Sequence, residues 1–186
     1  MEEHPVEDRR FGALLLGVAP DAVEVRGAQV PTTRIERTGP LDERRDSSRP
    51  PIGTRDPAGL VLTADGVPLD LEPGRGRLAR GSYRVRVRRD DEAWMLTPSD
   101  PYSSRFVRGR RYRGDNELAS LTRSPDGTVA LAWSETVGRG RFVARAPEPE
   151  PLEASLAYAL AAAFDTGAEL AVVRLVSEGA DLLLPG

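Results

Sequence analysis

Three arginines at alternate positions carry the clearest chemical signal in this sequence. Between residues 83 and 88, aromatic and aliphatic residues alternate with Arg84, Arg86 and Arg88. Because alternate side chains of a β-strand share one face, these guanidinium groups would lie about 7 Å apart along it. Guanidinium groups bind phosphate through paired N–H donors. The pattern therefore predicts a half-buried strand whose outer face contacts successive phosphates or several lipid headgroups.

A second basic segment follows closely in the chain. Residues 105–113 include five arginines in nine positions, with Phe106 and Tyr112 between them. If this segment folds alongside the first, the two would form one basic surface. The candidate anion-binding or lipid-binding residues are Arg84, Arg86, Arg88, Arg89, Arg105, Arg108, Arg110, Arg111 and Arg113.

The charge distribution leaves two interpretations of these arginines open. Residues 75–141 hold 15 arginines and 8 acidic residues, a net charge of +7, between two acidic ends. Such a surplus favours an anionic partner. All 26 basic residues are arginine, however, a usage typical of a GC-rich bacterial genome. The alternative is a solvated strand face, paired with acids such as Asp90, Asp91, Asp115 and Glu117.

Several kinds of site are disfavoured by residue type. The chain has no cysteine and a single histidine, His4, so thiolate sites, a Ser-His-Asp triad and multi-histidine metal sites are not expected. No phosphate-binding glycine loop is present. We therefore expect no enzymatic activity, no cofactor and no metal. With no signal peptide or transmembrane segment recognised, we expect a cytoplasmic protein, peripheral to the membrane if it binds lipid.

Three kinds of partner are consistent with the basic region. The leading hypothesis is a non-catalytic module that binds phospholipid headgroups. The second is a scaffold or protein-interaction subunit of a homo- or hetero-assembly, whose arginines meet an acidic protein surface. The third is a nucleic-acid binder, with Phe106 and Tyr112 stacking on bases.

The elements that would position the arginines are mostly short strands. The chain contains 18 glycines and 16 prolines, which favour many turns. Asp65-Gly66 predicts a hairpin between strands at 60–62 and 67–71. Pro31 places the strand at 29–35 at a sheet edge. In the strand at 128–134, Ala130 and Ala132 predict a second closely packed face.

One helix is expected near the C-terminus. From Leu152 to Phe164 the chain is almost entirely apolar, so every face of a helix here needs cover. Thirteen residues span about 20 Å, too short for a bilayer. The prediction is a mainly β fold, an antiparallel barrel or sandwich with one buried helix. We expect a single domain over residues 1–186, with a mobile N-terminus (1–10), a long loop or arm (38–59), and apolar strands at 169–176 and 182–184.

The order of elements, and the segment from Pro151 to Asp165, resemble the tubby-like superfamily, including its LURP-one-related branch. The shared feature is an apolar helix that ends in Phe-Asp after a series of antiparallel strands. The resemblance implies a closed barrel threaded by that helix, with a lipid-binding or scaffolding role. The extension after the helix and the Pro-Glu-Pro-Glu-Pro connector (147–151) depart from the family pattern. An unrelated barrel or sandwich capped by one helix is the alternative.

Overall fold

Thirteen strands and one α-helix account for most of the described chain. The computed structural model describes residues 1–42, 50–76, 80–124, 127–139, 142–164 and 166. The elements are β1 Glu2–Asp8, β2 Gly12–Ala19, β3 Ala22–Gly27, β4 Val30–Arg37, β5 Leu60–Ala64, β6 Val67–Pro73, β7 Val85–Arg89, β8 Glu92–Pro98, β9 Ser103–Arg108, β10 Glu117–Arg123, β11 Val129–Trp133, β12 Thr136–Arg139, β13 Phe142–Arg145 and α1 Pro151–Ala163.

Strands β1 to β11 form one antiparallel sheet in chain order, which curves into a nearly closed barrel. Short turns make this meander possible. At the predicted Asp65-Gly66 turn both residues have positive φ, 48° and 78°, as a tight hairpin requires. Strands β12 and β13 form a separate hairpin. The prediction of a mainly β fold with one buried C-terminal helix is confirmed.

The barrel interior is filled by the inward faces of the strands and by α1. On β7 the side chains of Val85 and Val87 are fully buried, as their alternation with arginine predicts. On the neighbouring β8, Trp94 and Leu96 are each 3% exposed. The arginines of β7 therefore point to the outer surface.

Helix α1 is buried on all sides. Every residue from Leu152 to Ala163 is buried, and the helix packs against β3 and β4 on one side and β10 on the other. Its polar atoms are satisfied: the hydroxyl oxygens of Ser155 and Thr33 lie 2.7 Å apart. Pro151 occupies the first turn, and Glu150 and Glu153 form a capping box. None of the helices in the described part of the chain is long and apolar enough to cross a membrane.

Two edge strands, β1 and β11, meet through side chains at the gap in the barrel. Asp8 accepts hydrogen bonds from the indole of Trp133 (3.0 Å) and the hydroxyl of Tyr158 (3.0 Å). It also accepts hydrogen bonds from the backbone N–H groups of Arg10 (2.8 Å) and Phe11 (3.0 Å). One buried carboxylate thus connects β1, β11 and α1.

The contact between Tyr158 and Asp8 gives a pH-dependent prediction. Burial first, and then the Asp8 carboxylate, raise the pKa of Tyr158 well above its ordinary value. The folded chain therefore keeps the phenol proton above about pH 10, where the unfolded chain releases it. The stabilisation that depends on the protonated Tyr158 phenol is fully present below that pH and is lost progressively as the pH rises further.

Tyr158→Phe should lower the free energy of unfolding by about 1–2 kcal/mol at neutral pH and should reduce the loss of stability at alkaline pH. Urea unfolding from about pH 8 to 11 measures both, and equal slopes for the two proteins would contradict the prediction.

The prediction of a mobile N-terminus is wrong: residues Glu2–Asp8 form β1. This strand pairs with β2 along its whole length, from Glu2 opposite Val18 to Asp8 opposite Gly12. Pro5 is tolerated because β1 is an edge strand, where one side of the backbone needs no partner. The pairing comes from the apolar β2 rather than from the polar composition of β1 itself.

The described part of the predicted arm (38–59) packs against the barrel instead of extending from it. Ile52 is fully buried, and its N–H donates to the carbonyl of Ala163 at the end of α1 (3.2 Å). Arg55 is 4% exposed, with its guanidinium over the rings of Tyr83 (4.9 Å) and Phe164 (5.4 Å). The segment thus covers the C-terminal end of the helix. Residues 43–49 lie outside the described residues, as do the strands predicted at 169–176 and 182–184.

Two further sequence predictions are corrected. Strand β4 is interior, since it pairs with both β3 and β5. Pro31 is accommodated because β5 pairs only from Thr33 onward and the β3 pairing is irregular beside Pro31. On β11, Ala130 and Ala132 are exposed rather than packed, because they lie on the outer face of an edge strand.

Candidate anion-binding groove

The outer surface of β6 to β9 carries the arginines of β7. Strand register places Glu72, Arg86, Met95 and Val107 in one row across the four strands. Although Met95 and Val107 belong to this outer row, they are 2% and 0% exposed. The loop between β9 and β10 lies beside this row, since Arg110, Arg111 and Tyr112 line the same groove as Arg86 and Met95.

Asn116 holds that loop in place. Its side-chain amide donates to the carbonyls of Arg108 (2.7 Å) and Arg111 (2.8 Å), and its oxygen accepts the N–H of Arg113 (2.9 Å). Gly109 begins the loop with a φ of 108°, which favours glycine. The second basic segment is therefore fixed over the first.

The two segments together line one open groove of about 600 Å³. We call this the Arg groove. Among the residues that line it are Arg84, Arg86, Arg88, Arg110, Arg111, Tyr112 and Glu72. The structure thus brings five of the nine candidate arginines together.

Arg88 and Arg89 are paired with nearby acids. Arg88 Nη2 lies 2.8 Å from Glu72 and 3.4 Å from Asp70. Arg89 donates to Glu92 from both Nε (3.2 Å) and Nη2 (2.6 Å). Exposed pairs of this kind contribute little to stability. They do lower the net charge available to a ligand.

Arg105 also has local partners. Its Nε lies 3.2 Å from Glu117, and its guanidinium lies 5.0 Å from the centre of the Tyr112 ring. Tyr112 is 41% exposed, whereas Phe106 is fully buried in the core. Phe106 therefore offers no surface on which a base could stack.

Arg108, one of the predicted binding residues, has a structural role. Its Nε and Nη2 donate to the two oxygens of Glu153 at 2.6 Å each, and Glu153 is 1% exposed. The indole of Trp94 donates to the same carboxylate (2.8 Å). Hydrogen bonding to Glu153 raises the pKa of Arg108 above its ordinary value. This arginine anchors the start of α1 to β9, and the Glu153 carboxylate offsets its charge.

The remaining candidates are Arg84, Arg86, Arg110, Arg111 and Arg113. Within the described ranges, none of the five forms an ion pair with an acidic side chain. Arg84 donates a hydrogen bond to the hydroxyl of Thr97, at 3.4 Å. Arg110, Arg111 and Arg113 also line a neighbouring cavity of about 580 Å³. Such uncompensated guanidinium groups can bind phosphate oxygens directly.

Two polar sites in the structure, the Asp8 network and the buried Arg55, could not be recognised from local sequence patterns. Both depend on partners distant in the chain, such as Tyr158 for Asp8.

Among the described residues, no group of three or more metal-binding side chains occurs. In comparisons with protein-family models, with curated proteins and with solved structures, none matched this chain.

Proposed function

We propose that this protein is a non-catalytic binding module and that the Arg groove binds the phosphate headgroups of anionic phospholipids. The observation that carries the proposal is the convergence of Arg84, Arg86, Arg110 and Arg111 on one groove without acidic partners in the described chain. Each basic residue near an anionic membrane surface contributes about 1 kcal/mol of binding free energy. Four such residues give weak, reversible attachment.

The distribution of charge supports an oriented approach to the membrane. The whole chain has a net charge of −3, whereas residues 75–141, which include the arginines of the groove, carry a net charge of +7. The face that bears the Arg groove would therefore be attracted to an anionic leaflet. A peripheral protein of the cytoplasm would attach in this single orientation. The tubby-like resemblance is part of the same proposal, because a barrel around an apolar helix is the architecture that the resemblance implies.

A lipid headgroup suits the groove better than the two alternative partners. For nucleic acid, the predicted pair of stacking aromatics is reduced to Tyr112, because Phe106 is in the core. For an assembly subunit, the predicted arm is the segment best suited to reach a neighbour, but its described part packs on its own barrel through Ile52 and Arg55. The Arg groove depends on neither feature.

Vesicle co-sedimentation tests the proposal. The protein should sediment with vesicles that contain phosphatidic acid and not with pure phosphatidylcholine vesicles. Binding should weaken as salt rises from about 0.05 to 0.5 M, because the screening length falls to a few ångströms. Absence of binding at low salt, or equal binding to both kinds of vesicle, would contradict the proposal.

A further inference from the structure

A further cleft, distinct from the cavity of about 580 Å³, lies next to the Arg groove, and its lining is more apolar than that of the groove. It has a volume of about 680 Å³ and lies between residues 112–115 and the β12–β13 hairpin. Val137, Val143 and Ala144 supply its apolar surface. Val143 is 64% exposed, and its cross-strand neighbour is Gly138, which has no side chain to cover it. We call this space the hairpin cleft.

The hairpin cleft adjoins the Arg groove at Tyr112. Tyr112 lines both spaces, and its ring is held under the guanidinium of Arg105. Arg113 lines the hairpin cleft and also the cavity that contains Arg110 and Arg111. A ligand with its phosphate on Arg111 can therefore extend past Tyr112 toward Val143.

The charges of the two spaces favour one orientation of such a ligand. Arg110 and Arg111 attract an anion into the groove, whereas in the cleft the charge of Asp115 offsets that of Arg113. The cleft then favours an uncharged, apolar group, which would cover Val143. An amphiphile with a phosphate head and a hydrocarbon chain satisfies both conditions.

We propose, on the basis of the function proposed above, that the hairpin cleft receives an acyl chain of the phospholipid whose phosphate occupies the Arg groove. The module would thus bind a lipid molecule through both its head and its chain, in addition to the charge of a membrane surface. Tyr112 would lie at the junction, in contact with the glycerol region. Val143 would be the main apolar contact.

Monomeric lipids of different chain length test this inference by titration calorimetry. Glycerol phosphate, dibutanoyl phosphatidic acid and dihexanoyl phosphatidic acid share the phosphate and differ in hydrocarbon. Each methylene that becomes buried tightens binding up to about fourfold. If one chain enters the cleft, the dihexanoyl lipid should bind about tenfold more tightly than the dibutanoyl lipid. Equal affinities for the two lipids would overturn the inference.

Val143→Asn isolates the contribution of the cleft. This residue is exposed, so the substitution should leave the fold intact, leave glycerol phosphate affinity unchanged and reduce the dependence on chain length to about twofold or less. Val67→Asn is the matched control, since Val67 is 56% exposed and lines neither space, and it should behave as wild type. A chain-length dependence that is unchanged in Val143→Asn would overturn the inference.

A groove variant separates this inference from the proposed function. Arg86→Gln/Arg111→Gln should weaken binding of glycerol phosphate and of both lipids. Suppose that the groove variant weakens binding of all three ligands, while Val143→Asn leaves the dependence of affinity on chain length unchanged. The proposal for the hairpin cleft would then be wrong, and the proposed function of the Arg groove would stand. If the groove variant weakens none of them, the proposed function fails and the inference fails with it.

Discussion

Leu156→Asp is expected to unfold the protein. Leu156 lies in the middle of α1, is fully buried, and belongs to the core that the barrel strands enclose. An aspartate there would have no partner for its charge among hydrocarbon neighbours. The loss should exceed that of any uncharged truncation at this site and reach a large part of the roughly 5–15 kcal/mol that stabilises a typical domain. Far-UV circular dichroism and urea titration measure it.

Two variants make that result interpretable. Leu156→Ala leaves a cavity without adding charge and should cost about 2–5 kcal/mol, which leaves a measurable transition. Leu41→Asp makes the same chemical change at a leucine that is 49% exposed, and it should have little effect. A folded Leu156→Asp protein of near wild-type stability would show that α1 is not enclosed by the barrel.

Arg108→Gln is expected to lower the free energy of unfolding by about 2–3 kcal/mol. It removes the partner of a carboxylate that is 1% exposed, and leaving one charge of a buried pair uncompensated is costly. We expect less than the 3–5 kcal/mol typical of fully buried pairs, because the Arg108 side chain is 39% exposed and water screens its charge. Trp94 and the backbone N–H of Glu150 still hydrogen-bond Glu153.

Arg111→Gln is the matched control for that experiment. Arg111 belongs to the same basic segment, but no described acid pairs with it. Its substitution should change stability by less than about 0.5 kcal/mol. Urea titration of both variants gives the comparison. Equal stability of the two would remove the distinction between structural and ligand-facing arginines.

Most of the barrel could be predicted from local sequence patterns. The alternation in β7 identified the inward Val85 and Val87, and Asp65-Gly66 identified a hairpin, because both signals depend only on neighbouring residues. The helix was predictable because an apolar run without a polar face must be buried. These features require no knowledge of the rest of the chain.

The N-terminus and the arm were mispredicted because their structure depends on partners elsewhere. Residues 2–8 are polar and include a proline, and they form a strand only beside the apolar β2. Ile52 is a single apolar residue in a polar segment, and its burial depends on contact with the end of α1. Composition averaged over a window cannot detect such isolated contacts.

The sequence was enough to predict a set of arginines for the candidate site, but not which of them pair with acidic side chains. Arg108 is 45 positions from Glu153, and Arg88 is 16 positions from Glu72, so sequence proximity does not identify these pairs. Arg88, Arg89 and Arg105 are paired with acids, and of their partners Glu117 alone is among the acids that the sequence suggested. Pairing separates them from Arg86 and Arg111, which remain available for binding.

The most direct test of the account is the vesicle affinity of two double variants that each remove two positive charges. Arg86→Gln/Arg111→Gln removes them from the Arg groove. Arg26→Gln/Arg34→Gln removes them from β3 and β4, on a different part of the barrel. With vesicles containing phosphatidic acid, the groove variant should lose about 2 kcal/mol, close to thirtyfold in affinity, while the second variant stays within about twofold of wild type. Equal losses in both variants would contradict a localised site and indicate a response to total charge alone.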